Sequence, residues 1–302
     1  MKRNRLGQSE LYVNEIGLGC MSLGTDKRRA INLIHEALNR GINFLDTADL
    51  YDEGLNEEIV GEALRSRRSD AIIATKVGNR WEAGKDGWSW DPSKAYIKAA
   101  VKESLRRLQT DYIDLYQLHG GKLDDPIDET IEAFEELKQE GLIRYYGISS
   151  IRPNVIREYV KRSNMVSVMT QYSILDRRPE EAVLPLLAES GISVIARGPV
   201  AKGILTGNGQ SKADKGYLDY SKEELIALRE SLFNLSAASR DMSHTAIRYA
   251  LSHPAVAAVI PGASSLEQLL QNIEAGNIQA LSPIELEAIR RISRSNQYDQ
   301  HR

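Results

Sequence analysis

The chain has one cysteine, Cys20, so no intramolecular disulfide can brace it. It has no apolar run long enough to span a bilayer, and its opening "MKRNRLGQSE" is not followed by the apolar core of a signal peptide. An excess of either charge is missing too: 39 Lys plus Arg face 42 Asp plus Glu, interspersed, for a net charge of −3. That balance offers no basic patch to nucleic acid or anionic membrane, and neither is expected as a partner. Paired Cys/His/Asp spacing is also absent, and His35, His244, His253 and His301 are scattered, so no metal site is expected. No linker, low-complexity tract or charge block divides residues 1–302, which read as one domain with a cytoplasmic location.

What is present is repetition. Eight short apolar runs alternate with amphipathic segments: "EIGLG" (15–19), "INFLD" (42–46), "AIIATK" (71–76), "YIDLYQLH" (112–119), "IRYYGIS" (143–149), "VSVMTQY" (166–172), "ISVIAR" (192–197) and "VAAVIPG" (256–262). β-Branched, nearly continuous hydrophobicity suits parallel strands covered on both faces. In "DKRRAINLIHEALNRG", Ala30, Ile31, Ile34, Ala37 and Leu38 recur at helical spacing and Gly41 stops the helix. Asp91-Pro92 reads as the start of another helix, while Ser221 with Glu224 and Ser264 with Glu267 have capping-box spacing. The pattern predicts an α/β fold, a (β/α)8 TIM barrel with an N-terminal β-hairpin cap, over a doubly wound open sheet. The glycines of "GLGCMSLG" give only a partial dinucleotide fingerprint, since Ser22 stands where the third glycine belongs.

Catalytic groups of a barrel collect where strands run into the following loops. Asp46 and Tyr51 follow the second strand, Lys76 ends the third and His119 ends the fourth, so adjacent strands can bring the four to one pocket. A free phenol ionises near pH 10, at about the wrong place for acid–base work at neutrality. A neighbouring ammonium favours the phenolate, and a carboxylate keeps that ammonium charged. Lys76 and Asp46 are the residues that would do this for Tyr51, leaving His119 to hold a carbonyl. Taken singly, each has a structural alternative: Lys76 snorkelling from a rim, His119 a satisfied core histidine, Asp46 a helix cap.

The blocks "LGQSELYVNEIGLGCMSLG", "GINFLDTADLYDEGLNEEIVGEAL", "IATKVG", "SLRRLQTDYIDLYQLH", "GLIRYYGISS", "QYSILDR" and "IPGASSLEQLLQN" resemble, in order, those of the aldo-keto reductases. The likeness is greatest to the bacterial branch that also resembles potassium-channel β subunits. It implies an NAD(P)H-dependent reductase of small aldehydes or ketones, with Asp46, Tyr51, Lys76 and His119 as the catalytic tetrad and Tyr51 as general acid/base. It also implies a nicotinamide cofactor, usually NADP(H) and otherwise NAD(H), near Gly19, Cys20, Met21, Asp46, Ser149, Ser150 and Gln171. Those contacts continue over Arg197, Gly198, Pro199, Val200 and Gly203, then Gly262, Ala263, Ser264, Ser265, Gln268 and Asn272. Many members carry an aromatic residue where Arg197 stands, and some a basic residue near Gly262 for a 2′-phosphate. Apart from the resemblance, "GASSLEQLLQN" follows strand eight and opens a helix, where free backbone N–H groups can meet a phosphate.

Other readings accompany this one. Lys76 could form a Schiff base as in aldolases, or the chain could be a regulatory subunit that binds cofactor with little turnover. Cys20 reads as a small buried residue. Trp81, Trp88 and Trp90 all fall between Lys76 and the next helix, as an aromatic wall for apolar carbonyls or as a self-packed loop. Arg106-Arg107 and "EAFEELKQE" read as exposed helix faces, and residues 207–220 as a flap over the cofactor.

Overall fold

The computed structural model describes residues 1–82, 84–235 and 240–302. It opens with an antiparallel hairpin, β1 (Arg3–Arg5) and β2 (Tyr12–Asn14). Strand–helix units follow: β3 (Leu18–Gly19) and α1 (Lys27–Asn39), β4 (Phe44–Asp46) and α2 (Leu55–Leu64). After β5 (Ile72–Val77) comes a small hairpin, β6 (Asn79–Arg80) with β7 (Ser89–Trp90), before α3 (Lys94–Leu108). Next are β8 (Ile113–Leu118) and α4 (Ile127–Gln139), β9 (Ile143–Ser149) and α5 (Pro153–Arg162), β10 (Ser167–Gln171) and α6 (Val183–Glu189). The last strands are β11 (Ser193–Arg197), trailed by α7 (Lys222–Leu235) and α8 (Met242–Ala250), and β12 (Val256–Ile260), trailed by α9 (Leu266–Ala275) and α10 (Pro283–Ile292).

Eight strands make one parallel sheet in the order β12-β11-β10-β9-β8-β5-β4-β3. Parallel bridges from Ile16 to Val259 and from Gly19 to Gly262, with the Gly17 N–H on the Val259 carbonyl at 2.9 Å, join its two edges. The fold is therefore the anticipated (β/α)8 barrel with its N-terminal hairpin, and the open sheet is set aside. Inside the barrel Phe44, Ala74, Leu115, Met169 and Ile195 meet Leu6, Leu11 and Val13 of the hairpin, which plugs the N-terminal end. A larger apolar cluster fills the layer between strands and helices. Each such fully buried side chain stabilises the fold by roughly 1.5–3 kcal/mol.

Several local expectations need correction. Helix α3 is capped by Ser93, whose hydroxyl accepts the Tyr96 N–H, because the Asp91 carboxylate is already taken by the Ser93 N–H. The cap of α9 is Ser265 with Gln268, one residue beyond the expected Ser264–Glu267 pair. On α1 Leu33 joins the core as well, while Ile31 is only partly buried against it. Arg107 is buried and paired with Glu57 at 2.7 Å, while Arg106 beside it is exposed. Likewise "EAFEELKQE" is not one exposed face: Ala133, Phe134 and Leu137 are buried, and Glu132, Glu136 and Glu140 pair with Lys94 and Lys98 of α3. Ser221 and Glu224 do exchange the reciprocal bonds of a capping box.

Candidate active site

The stretch "FLDTADLYD" (44–52) holds three aspartates and no lysine or arginine, and a neighbouring strand brings the cation. Register pairs Asp46 of β4 with Ala74 of β5, so Lys76 extends two residues beyond that pair toward the mouth. Its Nζ is fully buried and donates to Asp46 Oδ2 at 2.8 Å, to the Thr47 carbonyl at 2.6 Å and to Tyr51 Oη at 3.2 Å. An ammonium has three donors; here each has an acceptor. Burial alone would push Lys76 below the ordinary lysine value, but Asp46 and the Tyr51 oxygen outweigh it and hold the group above that value.

Tyr51 returns over Lys76 because the chain after it turns sharply. Asp52, Glu53 and Gly54 are all left-handed, with φ of 48°, 53° and 85°. Left-handed non-glycine residues are uncommon and cost roughly 1–3 kcal/mol each. His119, from the end of β8, meets the Tyr51 ring edge-on with centroids 5.9 Å apart. Burial, then the charges of Lys76 and Arg197, push the His119 pKa down to about 3, so its imidazole is neutral at neutral pH. The structure thus brings Asp46, Tyr51, Lys76 and His119 together.

Supporting residues escaped the sequence reading. Gln117 lies 3.5 Å from Asp46 Oδ1; it stands two residues before His119 on one strand, and that period of two would have put both side chains on the inner face. The Thr47 hydroxyl donates to Asn56 Oδ1 at 2.7 Å, and Asn56 Nδ2 donates to the Cys20 carbonyl at 2.9 Å. Thr75 and Arg107 both donate to Glu57, which is fully buried on α2. Asp49 is buried as well; burial, and then Glu57, raise its pKa well above the usual carboxylate value.

The residues expected around a cofactor lie at the ends of other strands on the same mouth. Gly19 bridges to Gly262; Met21 is exposed, whereas Cys20 is fully buried in the apolar layer behind β3, its thiol pushed up by burial. Ser149 and Ser150 are buried at the end of β9, and the Ser150 N–H donates to the Met169 carbonyl at 3.0 Å. Gln171 ends β10 opposite Arg197 of β11, whose Nη1 donates to Gln171 Oε1 at 2.9 Å. The amide of Gln171 donates in turn to Asp176 at 2.7 Å and to the Tyr217 hydroxyl at 3.0 Å. Tyr217 thereby ties the 207–220 segment to the rim. Gly198, Pro199, Val200 and Gly203 form the turn after β11. Gly262, Ala263, Ser264 and Ser265 lead from β12 into α9, where Asn272 donates to the Gly262 carbonyl at 3.1 Å. Gln268, in the first turn, accepts the Ser264 N–H. Onto that loop reaches Arg29 of α1, donating to the Ser264 carbonyl at 2.8 Å.

Fold and geometry together give a (β/α)8 barrel with an acid, a phenol, an ammonium and an imidazole gathered at one mouth. The Aldo/keto reductase family model matches residues 15–294, and the chain belongs to that family. It is 59% identical to the Bacillus subtilis (strain 168) oxidoreductase YqkF, over 100% of both chains. Among solved structures it resembles the holo form of aldo-keto reductase AKR11C1 from Bacillus halodurans, with TM-score 0.96 and 60% identity over 100% of this chain and 99% of that one. It also resembles an aldo/keto reductase from Klebsiella pneumoniae in complex with NADP and acetate, with TM-score 0.79 and 28% identity over 99% of both.

Proposed function

We propose that the chain reduces aldehydes and ketones to alcohols with NADP(H), Tyr51 acting as general acid and, in reverse, as base. The observation that carries this is the buried Lys76 ammonium, shared between the Asp46 carboxylate and the Tyr51 hydroxyl. When bound, the nicotinamide supplies a hydride to the carbonyl carbon. Tyr51 protonates the carbonyl oxygen, and the ammonium 3.2 Å away stabilises the negative charge left on the phenol. Asp46 keeps that ammonium charged and fixed. Neutral His119 serves as a hydrogen-bond donor that orients the carbonyl without competing as an acid. A charged Lys76 with every donor engaged does not suit a Schiff-base enzyme, whose lysine must be neutral to attack.

The donor set fits a nicotinamide dinucleotide. Ser149, Ser150 and Gln171 offer polar groups at adjacent strand ends for a carboxamide. The β12–α9 turn offers backbone N–H groups, and the exposed Arg29 adds a positive charge where some members place a basic residue near position 262. Arg29→Ala should weaken NADPH binding about tenfold and leave NADH binding unchanged, the worth of one charge-assisted contact. Titration of both cofactors by fluorescence tests this; equal losses for both would remove Arg29 from the 2′-phosphate.

The rim indicates the substrate class. Met21, Trp88, Leu123, Ile151 and Leu218 are exposed large apolar residues, each in a loop that follows a barrel strand. An apolar rim favours carbonyls with hydrocarbon tails. Across short straight-chain aldehydes kcat/KM should rise roughly threefold to fourfold per methylene, as about 0.8 kcal/mol of burial predicts. A flat series would count against an apolar substrate. Mixing the protein with NADPH and such an aldehyde should consume reduced nicotinamide. Tight NADPH binding without turnover on a broad carbonyl panel would instead favour the regulatory reading.

A further inference from the structure

Trp90 is the residue in the β6–β7 hairpin whose position the chemistry above leaves unexplained. The hairpin grows from the end of β5: Trp90 pairs with Asn79, and the Asp91 N–H donates to the Gly78 carbonyl at 2.8 Å. From that root the indole reaches across to the loop after β8. A Cβ built on Gly78 would lie 2.7 Å from the ring, and one on Gly120 would lie 3.0 Å from it. Both glycines have left-handed φ, +121° and +148°, so any side chain there would be strained as well as in collision with the ring. The indole N–H donates to Asp125 Oδ1 at 2.8 Å, and Asp125 Oδ2 accepts the Lys122 N–H at 2.6 Å. One side chain therefore seats on the glycine two residues past Lys76 and on the glycine that follows His119, and is pinned to the loop beyond.

His119 itself is bracketed through its backbone. Its N–H donates to the Val77 carbonyl at 2.7 Å, and its carbonyl accepts from Asn79 Nδ2 at 3.3 Å. These bonds and the indole carry the join between the two strand ends beyond the last β5–β8 pair, Val77 with Leu118. We propose that Trp90 is a positioning residue: its ring, wedged over Gly78 and Gly120, sets the spacing at which His119 faces Tyr51 and Lys76. The inference rests on the reductase reading and deepens it.

Misplacing a reacting group by an ångström can lower a rate about a hundredfold. Trp90→Ala is therefore expected to lower kcat roughly tenfold to a hundredfold while the Kd for NADPH stays within about twofold, because the phosphate turn and Gln171 lie on other strands. Trp90→Phe keeps an aromatic ring on the hairpin but loses the N–H and the outer indole carbons that lie over Gly78 and Gly120, so it should recover part of kcat and not all of it. Steady-state rates, NADPH titration by fluorescence and melting curves on wild type and both variants make the test. Unchanged kcat in Trp90→Ala would overturn the inference. So would a loss of kcat that tracks lost NADPH binding or folding and is not rescued by phenylalanine. A wild type with no Tyr51-dependent turnover would sink the reductase reading and this inference with it, whereas the first two results leave that reading standing.

Discussion

Tyr51→Phe is expected to lower kcat by roughly 10²- to 10⁴-fold, the usual worth of a positioned general acid, and to leave NADPH affinity nearly unchanged. The substitution removes one oxygen and little else. The ring keeps its edge contact with His119 and its place 4.8 Å from Lys76 Nζ. Lys76 keeps Asp46 and the Thr47 carbonyl as acceptors, so the variant should fold normally. Single-turnover mixing with NADPH and an aldehyde separates the chemical step from binding. Wild-type rates in the variant would show that the proton comes from elsewhere. His119 would be the first alternative, yet its pKa of about 3 leaves it a neutral imidazole across the assay range, a weaker acid than an imidazolium.

The second large effect concerns Lys76. Lys76→Met fills a similar volume but leaves the Asp46 carboxylate buried without its cation. Removing one partner of a buried ion pair costs roughly 3–5 kcal/mol of stability. The pH dependence follows from the sign of the shift. In the variant an unpaired buried Asp46 carboxyl has a folded pKa above its unfolded value, so the fold suffers most where the unfolded carboxyl is charged. The deficit should be full at neutral pH and shrink as acid protonates Asp46 in both states. Denaturant titrations at pH 7 and near pH 4 test this, and a deficit that does not shrink in acid would point to lost packing instead. Adding Asp46→Asn to Lys76→Met should restore much of the stability at neutral pH and none of the activity. Activity returning with stability would mean that the ammonium is structural.

The barrel and its four principal residues were legible because both are carried by local pattern. A strand covered on both faces has to be apolar along its length, and "IRYYGIS" coincides with β9 residue for residue. Polar residues where such runs end are few, so Asp46, Tyr51, Lys76 and His119 stand out. What pattern hides is pairing across the layer. Arg106 and Arg107 are adjacent and identical in chemistry, yet a helix turns about 100° per residue, and only Arg107 faces Glu57 of α2. Nothing local marks Glu57 as its partner, since they lie fifty residues apart in sequence. Arg29 is hidden for the same reason: its target is the carbonyl of Ser264, on the last unit of the barrel. Caps shift when a side chain is satisfied locally: Asp91 accepts the Ser93 N–H, and Ser93, two residues on, caps the helix through the Tyr96 N–H. Gln117 was within reach of sequence logic, by its alternation with His119.

The hairpin plug at the N-terminal end has a consequence for traffic. With Leu6, Leu11 and Val13 packed against Phe44, Leu115, Met169 and Ile195, the N-terminal end of the barrel is closed, and a reactant bound beside Tyr51 has to come in over the loops at the opposite end.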